Sequence, residues 1–232
     1  MIACAQPIPQ SAPRQLIKRV MASMLPRRYF VVRGLARSSA IALTFDDGPD
    51  PTHTPRLLQV LKQFNIKATF FLIGQKVERH PNLVRLISDE GHEIGHHSFT
   101  HGEPAITSSQ ALLRETRETI AALESILGNR PTLFRPPHGK LRAGAMLGLM
   151  AMSQRVVLWN RDPRDYRCAS SAELELSLAA MHYAPGDIIL LHDRIPHTAE
   201  ALKAAIPYIM ERQPDLQFKT VSGLLTAHAN GR

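Results

Sequence analysis

Along residues 41–228 the apolar positions fall into two alternating kinds of run. Short runs with little alternation, bounded by turn residues, occur at Ile41–Leu43, Lys67–Ile73, Thr132–Phe134, Val156–Trp159 and Asp187–Leu191. Their length and continuity predict strands buried on both faces. Glu93–Gly95 and Gln217–Thr220 are read as shorter strands of the same set. Between them the spacing changes to a helical period. Pro55–Phe64 places Leu57, Leu58, Val60, Leu61 and Phe64 at helical positions, and Asn82–Glu90 stops at Gly91. A long helix opens at Thr107, carries Leu112, Leu113, Ile120, Leu123 and Leu127, and ends at Gly128. Further helices are predicted around Gly139–Met152, over Ala172–Tyr183, over Ala199–Glu211 and over Val221–His228. Thr107 with Gln110, and Ser170 with Glu173, have the spacing of capping boxes.

Strands alternating with helices imply a parallel sheet. About seven such strands in a chain of 232 residues suit a distorted (β/α)7–8 barrel. The fold class is α/β, a single domain over residues 41–232, with a helical extension over residues 1–40. Residues 1–13, rich in Pro, Gln and Ser, read as a loose lead-in. Arg14–Leu25 is amphipathic: Leu16, Ile17, Val20, Met21, Met24 and Leu25 share one face, and Arg14, Gln15, Lys18, Arg19 and Ser23 the other. Pro26 stops it. Three roles suit this helix: a cover for the open end of the domain, which is preferred, a contact with anionic lipid, or an organelle transit segment.

Charge narrows the functional classes. Residues 1–40 hold Arg14, Lys18, Arg19, Arg27, Arg28, Arg33 and Arg37 with no Asp or Glu, which is +7 of the net +8. The remaining body is close to neutral, so no nucleic-acid partner is expected. Cys4 and Cys168 give neither a disulfide framework nor a metal-type pair. No apolar run is long enough to cross a bilayer, and no secretory signal is expected.

The unusual polar residues gather at strand ends. Asp46 and Asp47, His96 to His101, Arg135 to His138, Asp162 to Tyr166, and His192 all follow the C-terminal end of a predicted strand. In a parallel barrel those ends converge on one rim. Asp46 and Asp47 are adjacent like charges whose burial makes each harder to ionise, so a positive charge or a retained proton is needed there. His97 and His101, four apart, can aim at one point. With one carboxylate they make the two-histidine, one-acid composition of catalytic divalent-metal sites with open positions. His96 competes with His97 for that role, and the spacing to His101 favours His97. Each motif also has a plain reading. Asp-Asp-Gly-Pro makes a good turn, Arg135 a structural ion pair, Asp162–Asp165 a Pro-containing turn, and His192 a strand-end histidine. Their joint occurrence at five strand ends favours a site.

Thr44-Phe45-Asp46-Asp47-Gly48, His97-Ser98-Phe99-Thr100-His101, Arg135-Pro136-Pro137-His138-Gly139, Asp162-Pro163-Arg164-Asp165-Tyr166 and Leu190-Leu191-His192 occur in this order. Together they resemble the five motifs of the polysaccharide deacetylase family (the NodB homology domain), carbohydrate esterases that include chitooligosaccharide and peptidoglycan deacetylases. The resemblance runs from about Ile41 to Phe218 and implies a distorted β/α barrel. It implies a hydrolase of non-peptide carbon–nitrogen bonds that removes N-acetyl groups from an N-acetylglucosamine-type glycan. By it, Asp46 is the general base, and Asp47, His97 and His101 hold a divalent metal. Zinc is expected, on a donor set that also accepts cobalt, nickel or manganese. Arg135 holds Asp46 ionised, His192 is the general acid, and Asp165 orients His192. A backbone N–H near His138 assists the oxyanion, and Tyr166 and Leu190 wall the acetyl pocket.

Two residues depart from the family pattern: His138 stands where Tyr or Phe is usual, and Tyr166 where Trp is usual. The inherited sugar preference is therefore open. His53, His80, His182, His197 and His228 are read as surface or cap residues. Two other classes compete: an amidohydrolase acting on a small linear or cyclic amide, and an inactive glycan-binding module. The expected partner is carbohydrate. The expected location is cytoplasmic, with residues 14–25 touching an anionic inner membrane face near lipid-linked or nascent glycans.

Overall fold

Strand β2 (Ala40–Gly48) is the axis of the fold, and all nine of its residues are buried. The computed structural model describes residues 20–36 and 39–226. On one side β2 pairs with β3 (Thr69–Leu72), and on the other with β7 (Ile188–His192). Its first residues also pair with β8 (Gln217–Phe218). Beyond β3 the sheet continues through β4 (Glu93–His96), β5 (Leu133–Phe134), β6 (Arg155–Val157) and β1 (Phe30–Val31), in the order β1-β6-β5-β4-β3-β2-β7. Every pairing is parallel. Past β6 the chain swings across to β7, where Arg161 bridges Ile189 and Leu190 N–H bonds to the Arg161 carbonyl at 3.0 Å. The sheet therefore curls towards a barrel within one α/β domain.

After β2 the described α-helices are α1 (His53–Gln63), α2 (Gly74–Arg79), α3 (Pro81–Asp89), α4 (Ser109–Leu127), α5 (Ala143–Ala151), α6 (Ser171–Ala180), α7 (Thr198–Arg212) and α8 (Val221–Thr226). The strands bury both faces. Ile41, Leu43 and Phe45 of β2 pack with helix residues such as Leu57, Leu61, Leu202 and Ile206. Ala40 and Ala42 join Phe71, Val157, Trp159, Ile188 and Leu190 in the inner cluster. Two-sided burial is why the strands read as continuous apolar runs rather than alternating ones. Further along the inner face of β2, Thr44 and Asp46 replace the alanines, so the barrel interior turns polar towards the C-terminal rim.

Several local expectations need correction. Phe30 and Val31 pair with β6, so the sheet reaches back across the boundary expected at residue 40. A two-residue strand within the short run Tyr29–Val32 is too short to show a period. Helix α2, opening at Gly74 straight after β3, is likewise too short. The long helix is capped by Ser108, not Thr107: Ser108 Oγ accepts from Ala111 N–H at 3.1 Å, while Thr107 Oγ1 donates to the Glu103 carbonyl. Ser170 caps α6 as expected, but the Glu173 carboxylate returns to Ala169 N–H rather than to Ser170. At the N-terminus residues 20–24 are helical. Met21, Ala22 and Leu25 pack on the inner cluster, and Val20 and Met24 are exposed. Residues 14–19 of the expected amphipathic helix, and His228, lie outside the described residues. Among the described residues no helix is long and apolar enough to cross a membrane.

Candidate active site

A regular strand sends consecutive side chains to opposite faces, which would separate Asp46 from Asp47. The register with β3 prevents this. Asp46 pairs with Phe71 and Gly48 with the next residue, Leu72, so Asp47 is one residue too many on β2. It adopts φ +72°, a left-handed conformation costing a non-glycine residue roughly 1–2 kcal/mol, and it bulges the strand. Both carboxylates then face His97: its Nε2 lies 3.7 Å from Asp46 Oδ2 and 3.6 Å from Asp47 Oδ1.

The two aspartates have different surroundings. Arg135, wholly buried, donates from Nη1 to Asp46 Oδ1 at 2.8 Å and to Thr44 Oγ1 at 2.7 Å. Its Nε donates to the Val157 carbonyl, and its guanidinium stacks over Phe71 at 4.1 Å. Burial pushes the Arg135 pKa down, and the Asp46 charge opposes that shift; an arginine remains a cation under such conditions. Asp46 Oδ2 is left facing His97. Asp47 Oδ2 accepts from Arg194 Nε at 2.7 Å, and its backbone carbonyl accepts from Lys76 Nζ at 2.7 Å. Burial disfavours the Asp47 charge, but His97, His192, the Arg194 hydrogen bond and His101 outweigh it and lower its pKa to about 2.

Asp47 Oδ1 is buried and has no hydrogen-bond partner. It lies 3.3 Å from His101 Nε2 as well as 3.6 Å from His97 Nε2. His97 Nδ1 sits 2.6 Å from the Arg135 carbonyl, which can only accept. That nitrogen therefore carries the hydrogen, which leaves Nε2 as the ring atom that can bind an ion. Burial, then His97, lower the pKa of His101, favouring its neutral form. One ligand atom each from Asp47, His97 and His101 lies within 4.8 Å of the others. An unpartnered carboxylate oxygen opposite two imidazole nitrogens fits a divalent cation, with positions left open for other ligands.

His192 ends β7 in register with Asp46. Its Nδ1 is 2.8 Å from Asp165 Oδ1, and its backbone N–H donates to Asp165 Oδ2 at 2.6 Å. Burial alone would lower the His192 pKa. The Asp165 hydrogen bond and charge, with Asp46 and Asp47, overcome this and raise it to about 9. Tyr166 sets its ring edge-on to His192 at 5.5 Å. Leu190 is buried in the inner cluster, opposite Thr44. His138, at φ +56°, packs its ring 5.0 Å from His101, with Nε2 3.7 Å from Glu103 Oε2. His96 lies apart from the ligand group, stacked on Phe134 and bonded to Gln154. His197, read from sequence as a cap or surface residue, touches the Asp165 carbonyl through Nε2 at 3.3 Å.

Sequence reasoning missed Arg194 and Lys76, which reach the Asp47 carboxylate and backbone carbonyl, and Thr44, whose hydroxyl accepts from Arg135. The position of Arg194, two residues after His192, was the available signal. Backbone geometry marks the rim too. Of the seven non-glycine residues at positive φ among the described residues, Asp47, Ser98, His101, His138 and Arg164 lie in the rim motifs, where strained conformations tend to cluster.

A family model described as polysaccharide deacetylase matches residues 34–154. The chain is 36% identical over 188 residues to a peptidoglycan-N-acetylglucosamine deacetylase of Bacillus cereus, covering 80% of this chain and 87% of that protein. It is also 36% identical over 187 residues to a chitooligosaccharide deacetylase of Rhizobium leguminosarum bv. trifolii, covering 74% and 86%. Among solved structures it superposes on the Bc1960 peptidoglycan N-acetylglucosamine deacetylase with a TM-score of 0.79 at 29% identity, covering 87% of this chain and 95% of that one.

Proposed function

The chain belongs to the polysaccharide deacetylase family, and on that premise we propose that it is a metal-dependent hydrolase removing acetyl groups from N-acetylglucosamine-type residues of a glycan. The observation that carries this reading is the unpartnered Asp47 Oδ1 facing two imidazole nitrogens, beside an Asp46 held by a buried arginine. Asp47, His97 and His101 would hold the metal, zinc by preference. When bound, it supplies a Lewis acid that polarises the acetamide carbonyl and lowers the pKa of water from 15.7 towards about 7.

The residues of the chain divide the remaining steps. Asp46 takes a proton from the attacking water through Oδ2, the oxygen that Arg135 leaves free. Arg135 sets a cation 2.8 Å from Asp46 Oδ1 in a buried setting. As the water oxygen bonds to the acetyl carbon, the backbone N–H at His138 donates to the developing oxyanion, and one such donor is typically worth about 3–4 kcal/mol. His192, protonated at neutral pH by its pairing with Asp165, gives its Nε2 proton to the departing nitrogen as the C–N bond breaks. Acetate and a free amine leave. Tyr166, Leu190 and His138 line the acetyl and sugar positions.

Acetate release from N-acetylglucosamine oligomers and peptidoglycan fragments, measured with metal content, tests this reading. Full activity in Asp46→Asn would overturn it. The location reading extends the proposal: exposed Val20 and Met24 on an acid-free, +7 stretch suit contact with an anionic membrane on its cytoplasmic face. Sedimentation with anionic vesicles that does not change when residues 1–25 are deleted would exclude it.

A further inference from the structure

The Asp47 carboxylate is held from the side away from the histidines. Arg194 Nε donates to Oδ2 at 2.7 Å, while Oδ1 is buried, without a hydrogen-bond partner, and 3.3–3.6 Å from His101 and His97. The Arg194 side chain is half exposed, yet its backbone is well anchored. Its neighbour Asp193 is buried, donates its N–H to the Asp46 carbonyl at 3.2 Å and accepts from Thr54 Oγ1 at 2.8 Å. The same carboxylate packs on Gly48, where an added Cβ would come within 2.0 Å of Asp193 Oδ2. Residues 193–194 are thus locked against the bulge that exposes Asp47.

We propose that Arg194 is a positioning residue for the metal site, holding Asp47 Oδ2 so that Oδ1 alone is presented to the cation between His97 and His101. The proposal rests on the metal-site reading above. Two effects of Arg194 compete. Its charge repels a divalent ion, but the guanidinium is half exposed and water and salt screen that repulsion. Its hydrogen bond fixes the ligand oxygen, and losing such outer contacts typically costs about 10–100-fold in metal affinity or activity. Orientation therefore wins, and affinity falls when Arg194 is removed. Glutamine separates the two effects, because its side-chain nitrogen occupies the same place along the chain as arginine Nε without the charge.

The test is competition for Zn2+ between a chromophoric chelator and the metal-stripped full chain, with Asp47→Ala as the reference for a lost ligand. Arg194→Ala should raise the Kd by about 10-fold or more, and Arg194→Gln should stay within about 3-fold of the wild type. An unchanged or lower Kd in Arg194→Ala overturns the role, and so does an Arg194→Gln as weak as Arg194→Ala. A wild type that binds no stoichiometric zinc overturns the metal reading itself, and this role with it.

Discussion

Asp187 and Asp47 are both buried beside arginines, and they differ in one respect. Asp187, just before β7, has both oxygens engaged. Oδ1 meets Asn160 Nδ2 at 2.6 Å and Arg33 Nε at 3.3 Å, and Oδ2 meets Arg161 Nε at 2.6 Å and Ala184 N–H at 3.0 Å. Asp47, on the bulge of β2, has Oδ2 held by Arg194 and Oδ1 without a partner. Both acids are buried and both are paired with cations. A fully bonded carboxylate has no acceptor capacity left for a ligand, whereas an orphaned one is destabilised until something positive arrives. The first fastens the chain past β6 to β7. The second is where an ion fits.

The sharpest way to break this contrast is to remove chemistry while keeping the fold. Asp46→Asn keeps the shape of the rim and should lower acetate release by about 10²–10⁴-fold, with a lowered thermal midpoint because the buried Arg135 loses its anion. Next in size is Arg135→Met, which leaves Asp46 buried without its cation. It should destabilise by about 3–5 kcal/mol in urea unfolding, so a stable Arg135→Met would show that Asp46 does not need its partner. The central pair of variants is Asp187→Asn and Asp47→Asn. Asp187→Asn should lose about 1.5–3 kcal/mol of stability and still bind one metal ion by calorimetry. Asp47→Asn should lose the metal. If both bind metal alike, the contrast has no functional meaning.

The mildest test is pH. His192 has a folded pKa raised to about 9 from an ordinary value of 6.5. Its pairing with Asp165 therefore adds stability in full below about pH 6.5 and loses it as pH rises through about 9. As the acid it must be protonated, so the rate should hold through neutral pH and fall above about 9. Asp165→Asn should move that alkaline limb to lower pH. An unmoved limb would assign the acid to another group.

Much of the architecture was legible because burial on both faces leaves a strand no polar positions. Ile41–Leu43 and Ile188–Leu191 stand out as continuous apolar runs for that reason. Phe30–Val31 and Gly74–Arg79 escaped because two and six residues cannot display a period, and the sheet or a neighbouring loop, not propensity, holds them. The Ser108 cap was missed because Thr107 has the same chemistry one residue earlier. Only the direction of the chain at Glu103 decides which hydroxyl meets a helix N–H.

The order and chemistry of the rim motifs are properties of the sequence alone: acids after the first long strand, histidines four apart, an arginine, an acid and a histidine, each at the end of a strand. Parallel strands must deliver those ends to one side, so their convergence follows from local pattern. Which aspartate faces which partner does not. Alternation along a strand would have parted Asp46 from Asp47, and only the register between β2 and β3, a contact between segments more than twenty residues apart, forces the extra residue into the left-handed bulge that reunites them. The tautomer of His97 depends on the Arg135 carbonyl, and the free oxygen of Asp47 depends on an arginine 147 residues away. Such choices rest on hydrogen-bond geometry across the fold, and tertiary structure alone decides them.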